Sequence, residues 1–374
     1  MKNIQKVLRC MICICIVCLG TVVCTSCAKA SSPTNFDIKQ GVNIGCWLSQ
    51  SHIVDERREQ IFTEQDIDLL VNAGFDHIRL PVDEVQLFNE DMSLNEETLR
   101  ILHNTIDNCL EKGLKVIFDL HIIRSHHFLD NHAALWSDPA EQDKLVDMWR
   151  VIQNQLSHYP VTEVAYELLN EAVAPDDEQW AALMLRIVKV IRQSEKDRII
   201  VLGANQQNHA AHVKNILVPE GDPNIMLSFH FYEPLLITHY QAMWTPLRIL
   251  NFHGSMCYPG QLIPDEVYAG LSDEEKKVVE PYNQSYDKEW IRSYWSEAIE
   301  YSKQKGLKLY LGEFGCLANC GEEVRLAWLS DVVDLARELG IAYSFWEYNK
   351  EFGFADRWEK GVITNEALMK VVAE

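Results

Sequence analysis

Along this chain, short continuous runs of apolar residues alternate with longer stretches in which apolar positions recur at helical spacing. Strand-like runs lie at Gly41–Cys46, His77–Val82, Lys115–His121, Val164–Glu171, Arg198–Ala204, Ile225–Tyr232, Lys308–Gly315 and Ile341–Tyr348. The segments between them read as helices. After the first strand, Ile67, Leu70 and Val71 form an apolar stripe behind a Thr63-x-x-Asp66 capping box. Glu141–Ser157 and Asp177–Ser194 are equally clear, and before the last strand Val324, Ala327, Trp328, Val332, Leu335 and Leu339 repeat at helical spacing. Most of the strands are apolar from end to end, as parallel strands covered by helices are. Eight strand-then-helix units without a break in composition predict an α/β fold, a closed (β/α)8 TIM barrel in a single domain over residues 36–374.

One segment is too long for that pattern. Residues 235–286 separate the sixth strand from its helix and contain Trp244, Phe252, Tyr258, Tyr268 and Tyr282. Long ordered loops on barrels are usually functional, and the loops after the strands build a barrel's active face. The segment is therefore expected to wall a substrate cleft. The alternative is an excursion packed on the outside.

Residues 1–30 stand apart from the fold. Lys2, Lys6 and Arg9 precede the apolar run Met11 to Val23, which is short for a membrane span, and small residues follow, as in an export signal. Two processing patterns overlap: Ala28-Lys29-Ala30 fits ordinary signal cleavage, and Thr25-Ser26-Cys27 resembles a bacterial lipobox with Cys27 as the lipid anchor. Either way the protein is expected to be exported. The formal charge is −21, and removing the leader's four cations takes it to −25. Such a surface repels nucleic acid and anionic headgroups and suits an enzyme acting on neutral polymers. Six of the eleven cysteines lie in the leader. The remaining Cys46, Cys109, Cys257, Cys316 and Cys320 are an odd number that does not suggest a stapled fold, although Cys316 and Cys320 could pair.

Chemistry enters at two strand ends. Val164–Glu171 and Lys308–Gly315 are each an apolar run that delivers a glutamate at its C-terminal end. Strict strand alternation puts Glu167, Leu169 and Glu171 on one face, and Leu311 with Glu313. Two carboxylates at one end of one sheet are the minimum equipment for glycoside hydrolysis. The alternative is a structural carboxylate satisfied by the next helix N-terminus. Glu167 and Asp119 lie deeper on the inward face and read as members of a buried hydrogen-bonded network.

Asn170-Glu171 and Leu311-Gly312-Glu313-Phe314-Gly315, with matching strand ends elsewhere in the same order, resemble glycoside hydrolase family 5, the cellulase-type (β/α)8 enzymes. The resemblance runs from about Gly41 to Val372. It implies a retaining mechanism with Glu171 as acid/base and Glu313 as nucleophile. Arg79, in His77-Ile78-Arg79-Leu80-Pro81, is the candidate cation beside Glu313. Asn170 is implied to bond the sugar 2-hydroxyl, and Tyr232 to donate to the nucleophile. His121 and His230 are implied to line the cleft, and Trp346, in Phe345-Trp346-Glu347, to form the sugar platform.

Two departures stand out. The family's usual proline after Asn-Glu is Ala172 here. His121 is followed by Ile122-Ile123-Arg124-Ser125-His126-His127 rather than by a second histidine or a Pro-Gly turn, so the non-reducing-side subsites are expected to differ. His126 and His127 receive no role.

The reading is an exported, monomeric retaining glycoside hydrolase needing no cofactor and no metal. Its expected substrate is a β-linked polysaccharide or oligosaccharide, with endo-β-1,4-glucanase activity ahead of mannanase, xyloglucanase or exo-β-glucosidase. A glycan-binding barrel that had lost catalysis would be expected to lack Glu171 or Glu313, and both are present. An aldolase or amidohydrolase would need a strand-end lysine or paired histidine ligands, and neither is evident.

Overall fold

The computed structural model describes residues 33–245, 252 and 254–374; the leader, with Cys27 and the processing sites, lies outside the described residues. Eight parallel strands close into a barrel. They are β1 (Gln40–Asn43), β2 (His77–Val82), β3 (Lys115–Leu120), β4 (Val164–Glu167), β5 (Ile200–Gly203), β6 (Ile225–Phe231), β7 (Lys308–Phe314) and β8 (Ala342–Phe345). Each pairs with its sequence neighbour, and β8 returns to β1 through Gly41↔Ser344 and Val42↔Phe345. The expected fold class is therefore the observed one.

Period-2 alternation divides each strand between two cores. On β2, Ile78, Leu80 and Val82 join the apolar shell under the helices, while Arg79 points into the barrel. The N-terminal end of the barrel is plugged by a separate apolar cluster that includes Phe36, Ile38, Ile117, Val201, Met226 and Tyr310. Above it the buried His77, Tyr310 hydroxyl and Ser344 bond to one another, and the charged groups gather at the other end of the interior, where their mutual attraction is little screened.

The helices are α1 (Glu64–Asn72), α2 (Glu96–Glu111), α3 (Pro139–Leu156), α4 (Asp177–Ile191), α5 (Lys288–Lys305), α6 (Glu322–Leu339) and α7 (Glu366–Ala373). Their starts follow ordinary capping chemistry. At α1 the Asp66 carboxylate takes the Thr63 backbone N–H at 2.8 Å, and Asp287 caps α5 by accepting from the Trp290 N–H at 2.8 Å.

Three of these helices also send a fully buried tryptophan onto a carbonyl at or just beyond a strand end. Trp149 Nε1 donates to the Leu168 carbonyl at 2.8 Å, Trp180 to Gly203 at 2.9 Å and Trp328 to Glu233 at 3.1 Å. Strands β4, β5 and β6 leave their ladders at these points, so carbonyls that would otherwise be orphaned in the core are satisfied by the helix layer. Truncating any one of these indoles would cost about 3–5 kcal/mol in packing alone.

The structure differs from the sequence expectation in the run of its elements at two places. Strand β4 ends at Glu167, not Glu171, and the chain leaves extended geometry before the Asn-Glu pair. Between β5 and β6 there is no long helix among the described residues. The 3-10 turn Ala210–Asn215 stands there instead: Gln206, Gln207 and Asn208 take left-handed backbone before it, and Pro219, Gly221 and Pro223 interrupt the chain after it.

The long segment after β6 is not structureless. It carries the short helices Leu235–Thr238, Asp265–Gly270 and Asp273–Val279, and a small ribbon pairing Gly260–Gln261 with Ser285–Tyr286. Its aromatics divide. Phe252 and Tyr258 are buried, and the Tyr258 hydroxyl donates to Asp331 on α6, so this part packs against the helix layer. Trp244 stays half exposed beside Phe352 and His239.

Candidate active site

At the C-terminal end of the barrel, Arg79 rises from β2 into a fully buried position. Its Nε and Nη2 donate to the two Glu167 oxygens at 2.7 and 3.1 Å, its Nη1 to Glu313 Oε1 at 2.6 Å and to Asn43 Oδ1 at 2.9 Å. Nη2 also reaches Asn170 Oδ1 at 2.8 Å and lies 3.0 Å from Asp119 Oδ2. One planar cation thus fastens β1, β2, β3, β4 and β7 together below the cleft, a task that a fork of fixed donors can do and a lysine ammonium cannot. Glu167 and Asp119 are members of this buried network, as alternation on β3 and β4 implies.

Glu313 is held at both oxygens, by Arg79 and by the Tyr232 hydroxyl, which donates to Oε2 at 2.9 Å. It does not share a face with Leu311. The pairing of β7 with β6 slips between Phe229↔Leu311 and His230↔Glu313, so one extra residue is inserted at Gly312. Leu311 stays in the outer core while Glu313 turns inward. Only a glycine fits at the slip, since a Cβ there would sit 2.8 Å from Ser228 Oγ.

Glu171 also breaks the alternation. Its φ is +45°, in the left-handed region, so Asn170 and Glu171 both face the interior although they are adjacent. His230 Nδ1 lies 2.8 Å from Glu171 Oε1 and 3.6 Å from Glu313 Oε2. An oxygen of Glu171, a ring nitrogen of His230 and an oxygen of Glu313 all fall within 4.8 Å of one another.

Electrostatics separate the two carboxyls. Burial pushes both upward; on Glu171 the neighbouring Glu313 charge adds to the effect and holds it well above the usual carboxylate range. On Glu313 the Arg79 guanidinium and the Tyr232 hydroxyl pull the other way. Glu171 therefore keeps its proton to the higher pH. The imidazoles are neutral: burial takes His230 well below its ordinary value and His121 to about 4. His121 Nδ1 donates to Asp119 Oδ2 at 2.7 Å, and its Nε2 accepts from Gln50 at 3.0 Å.

Trp346, at the end of β8, stacks on His121 with ring centres 5.6 Å apart and planes 10° apart. It packs with Leu317 and Phe352, leaving 7% of its surface open. The structure thus gathers Glu171, Glu313, Arg79, Asn170, His121, His230, Tyr232 and Trp346 at one end of the barrel. His126 lies behind them, its Nε2 accepting from the Val173 N–H at 3.3 Å. Cys316 and Cys320, in the loop after β7, are unpaired with their sulfurs 3.4 Å apart.

Three members of the site escaped sequence reasoning. Asn43 was legible in principle, as a polar residue at the inward end of β1. Its Nδ2 donates to the Gly312 carbonyl at 3.0 Å and so supports the slip that aims Glu313. Gln50 and Asn208 have left-handed backbones in irregular segments, for which a strand pattern gives no signal.

The model of the cellulase family, glycosyl hydrolase family 5, matches residues 40–352. The chain belongs to that family. It is a family 5 glycosidase, an enzyme that hydrolyses O-glycosyl bonds. Among its relatives, Endoglucanase C of Acetivibrio thermocellus is 33% identical over 320 residues, covering 83% of this chain and 91% of the relative. Cellodextrinase A of Ruminococcus flavefaciens is 28% identical over 86% of each chain. A solved endoglucanase superposes with a TM-score of 0.71 at 26% identity, covering 90% of this chain and 97% of that one.

Proposed function

We propose that this family 5 enzyme is an endo-β-1,4-glucanase that works by double displacement, with Glu171 as acid/base and Glu313 as nucleophile. The observation that carries the reading is the approach of the two buried carboxyls to within 4.8 Å. Retaining glycosidases hold their carboxyls about 5–5.5 Å apart, whereas inverting ones leave about 6.5–9.5 Å for a water.

Glu171, held protonated, gives its proton to the leaving oxygen while Glu313, ionised beside Arg79, attacks the anomeric carbon. Glu171 then takes a proton from the water that releases the glycosyl-enzyme. Arg79 and Tyr232 hold both nucleophile oxygens so that one stays aimed at the sugar. Asn170, fixed by the same guanidinium, meets the 2-hydroxyl, and Trp346 stacks on the ring. The half-exposed Trp244, beside Phe352 and His239, suits a further sugar on the leaving-group side. The basic-then-apolar leader supports export of the enzyme, with Cys27 as a lipid attachment point, to a compartment where β-glucan is met as a polymer.

The test is stereochemical. The first-formed reducing sugar should keep the substrate's anomeric configuration by proton NMR before mutarotation. Glu313→Ala should be inactive on every substrate. Glu171→Ala should still cleave aryl β-cellobiosides with activated leaving groups, and azide should restore its turnover by forming a β-glycosyl azide. An inverted first product, or azide rescue confined to Glu313→Ala, overturns the assignment. Rapid viscosity loss of carboxymethylcellulose relative to reducing ends distinguishes endo attack from the cellodextrin-trimming mode.

A further inference from the structure

His230 Nδ1 faces two carboxyl groups, Glu171 Oε1 at 2.8 Å and Glu313 Oε2 at 3.6 Å. Glu313, ionised beside Arg79, can only accept, so a bare Nδ1 would set its lone pair against that charge; with the proton on Nδ1 the ring instead donates toward both carboxyls. The other ring nitrogen, Nε2, must then be met by a donor. Asn208 supplies it: its Nδ2 lies 3.1 Å from His230 Nε2, and Asn208 is fully buried.

The backbone that brings it there is costly. Gln206, Gln207 and Asn208 follow one another in the left-handed region, with φ of +54°, +60° and +55°. None of them is glycine, and a residue with a Cβ is disfavoured in that region. The turn is tied to the segment after Glu171, since the Gln207 N–H donates to the Ala172 carbonyl at 3.1 Å and Asn205 Oδ1 accepts from the Ala174 N–H at 2.8 Å. Strain held in place by such bonds calls for a purpose at the site.

We propose that Asn208 is a positioning residue for the proton that Glu171 donates: it holds His230 as the neutral Nδ1–H tautomer, which confines the Glu171 proton to Oε2. With Nδ1–H donating to Oε1, a protonated Glu171 has only Oε2 left for its hydrogen. A donor at Nε2 also opposes a second proton on the ring, so His230 does not take the proton from Glu171. The titratable and charged groups facing this ring are Glu171, Glu313, Arg79 and, across the site, His121. The inference rests on Glu171 being the acid.

Asn208→Asp, assayed at a pH where the new carboxyl is ionised, replaces the donor by an acceptor of the same shape. Nε2 then carries a proton, and one of two things follows. Either the ring becomes an imidazolium beside an ionised Glu171, or Nδ1 is bare and Glu171 gives its hydrogen to it from Oε1. Both leave Oε2 without a proton. The test compares aryl β-cellobiosides that differ in leaving group. In Asn208→Asp, kcat/KM for the phenyl glycoside should fall at least about tenfold, part of the roughly 10²–10⁴-fold that a positioned acid supplies. The 2,4-dinitrophenyl glycoside, whose leaving group needs no proton, should change by no more than about twofold, because the chemical step that Asn208 serves is then bypassed. Equal losses on both substrates, or none on either, overturn the proposal.

Glu171→Gln in the same series keeps the two readings apart. If it fails to steepen the leaving-group dependence, the acid assignment itself is wrong, and this inference falls with it. The wild-type enzyme provides a measurement that needs no folded variant at Asn208. Long-range proton–nitrogen correlation, with His230 assigned by its absence in His230→Ala, should show Nδ1 protonated and Nε2 bare. A proton on Nε2 in the wild type refutes the role given to Asn208.

Discussion

Arg79→Met is the perturbation on which the largest part of the site can be tested. Methionine keeps most of the stem but removes the guanidinium that Glu167, Glu313, Asp119, Asn43 and Asn170 share. Taking away one partner of a buried ion pair costs about 3–5 kcal/mol, and here three carboxylates lose the same cation, so the upper end is expected. At roughly 2 °C per kcal/mol for a domain of this size, Tm should fall by about 10 °C near neutral pH.

The pH dependence has a definite sign. Burial already lifts Asp119 to about 7 and raises Glu167. A carboxyl whose folded value lies above its unfolded value lends stability at acid pH and withdraws it as the pH climbs through the folded value. Without the guanidinium these folded values rise further, so the damage should be greater at pH 8 than at pH 5, where protonation relieves the stranded charges. Differential scanning calorimetry of both proteins at the two pH values reads this directly. A Tm loss that is equal at both, or larger at pH 5, would refute the account of Arg79 as the counter-charge of a buried acidic layer. In the same variant the acid limb of kcat/KM should move to higher pH, because Glu313 loses the cation that favours its ionised form.

Trp346→Ala should raise KM on cellooligosaccharides and also lower Tm, since an indole only 7% exposed and stacked on His121 gives up about 3–5 kcal/mol of packing when truncated; an unchanged Tm would mean that the ring is held by substrate alone. Cys27→Ala should move the exported protein from the detergent phase to the aqueous phase on Triton X-114 partition. A wild-type chain already soluble and beginning at Ser31 would remove the anchor.

The regular parts of this molecule were legible because they obey a single period. The sequence pattern bounds strand β2 at His77–Val82, as observed, and alternation places Asp119 and Glu167 inside the barrel, where Arg79, expected as the cation beside Glu313, meets them. Legibility stops where the period does. Glu171 reaches the cleft through a left-handed backbone, Glu313 through an extra residue at Gly312, and Asn208 through a turn in which every φ is positive. Counting by twos from Leu311 gives the right direction for Glu313 only by treating Leu311 as inward, which it is not.

These irregularities have a common physical cause. A parallel ladder presents its side chains every second residue on fixed axes, and two carboxyls that must meet within 4.8 Å across a barrel cannot both be delivered on those axes. The chain therefore has to leave the ladder a residue or two early, which exposes backbone groups that something else must satisfy. The indoles of Trp149, Trp180 and Trp328 take the carbonyls at three of these exits, and Asn43 takes the carbonyl of Gly312 at a fourth. A hydrophobic pattern registers those tryptophans only as core. Their second task, supporting the exits from which catalytic groups are aimed, becomes visible only once the strands are known to end where they do.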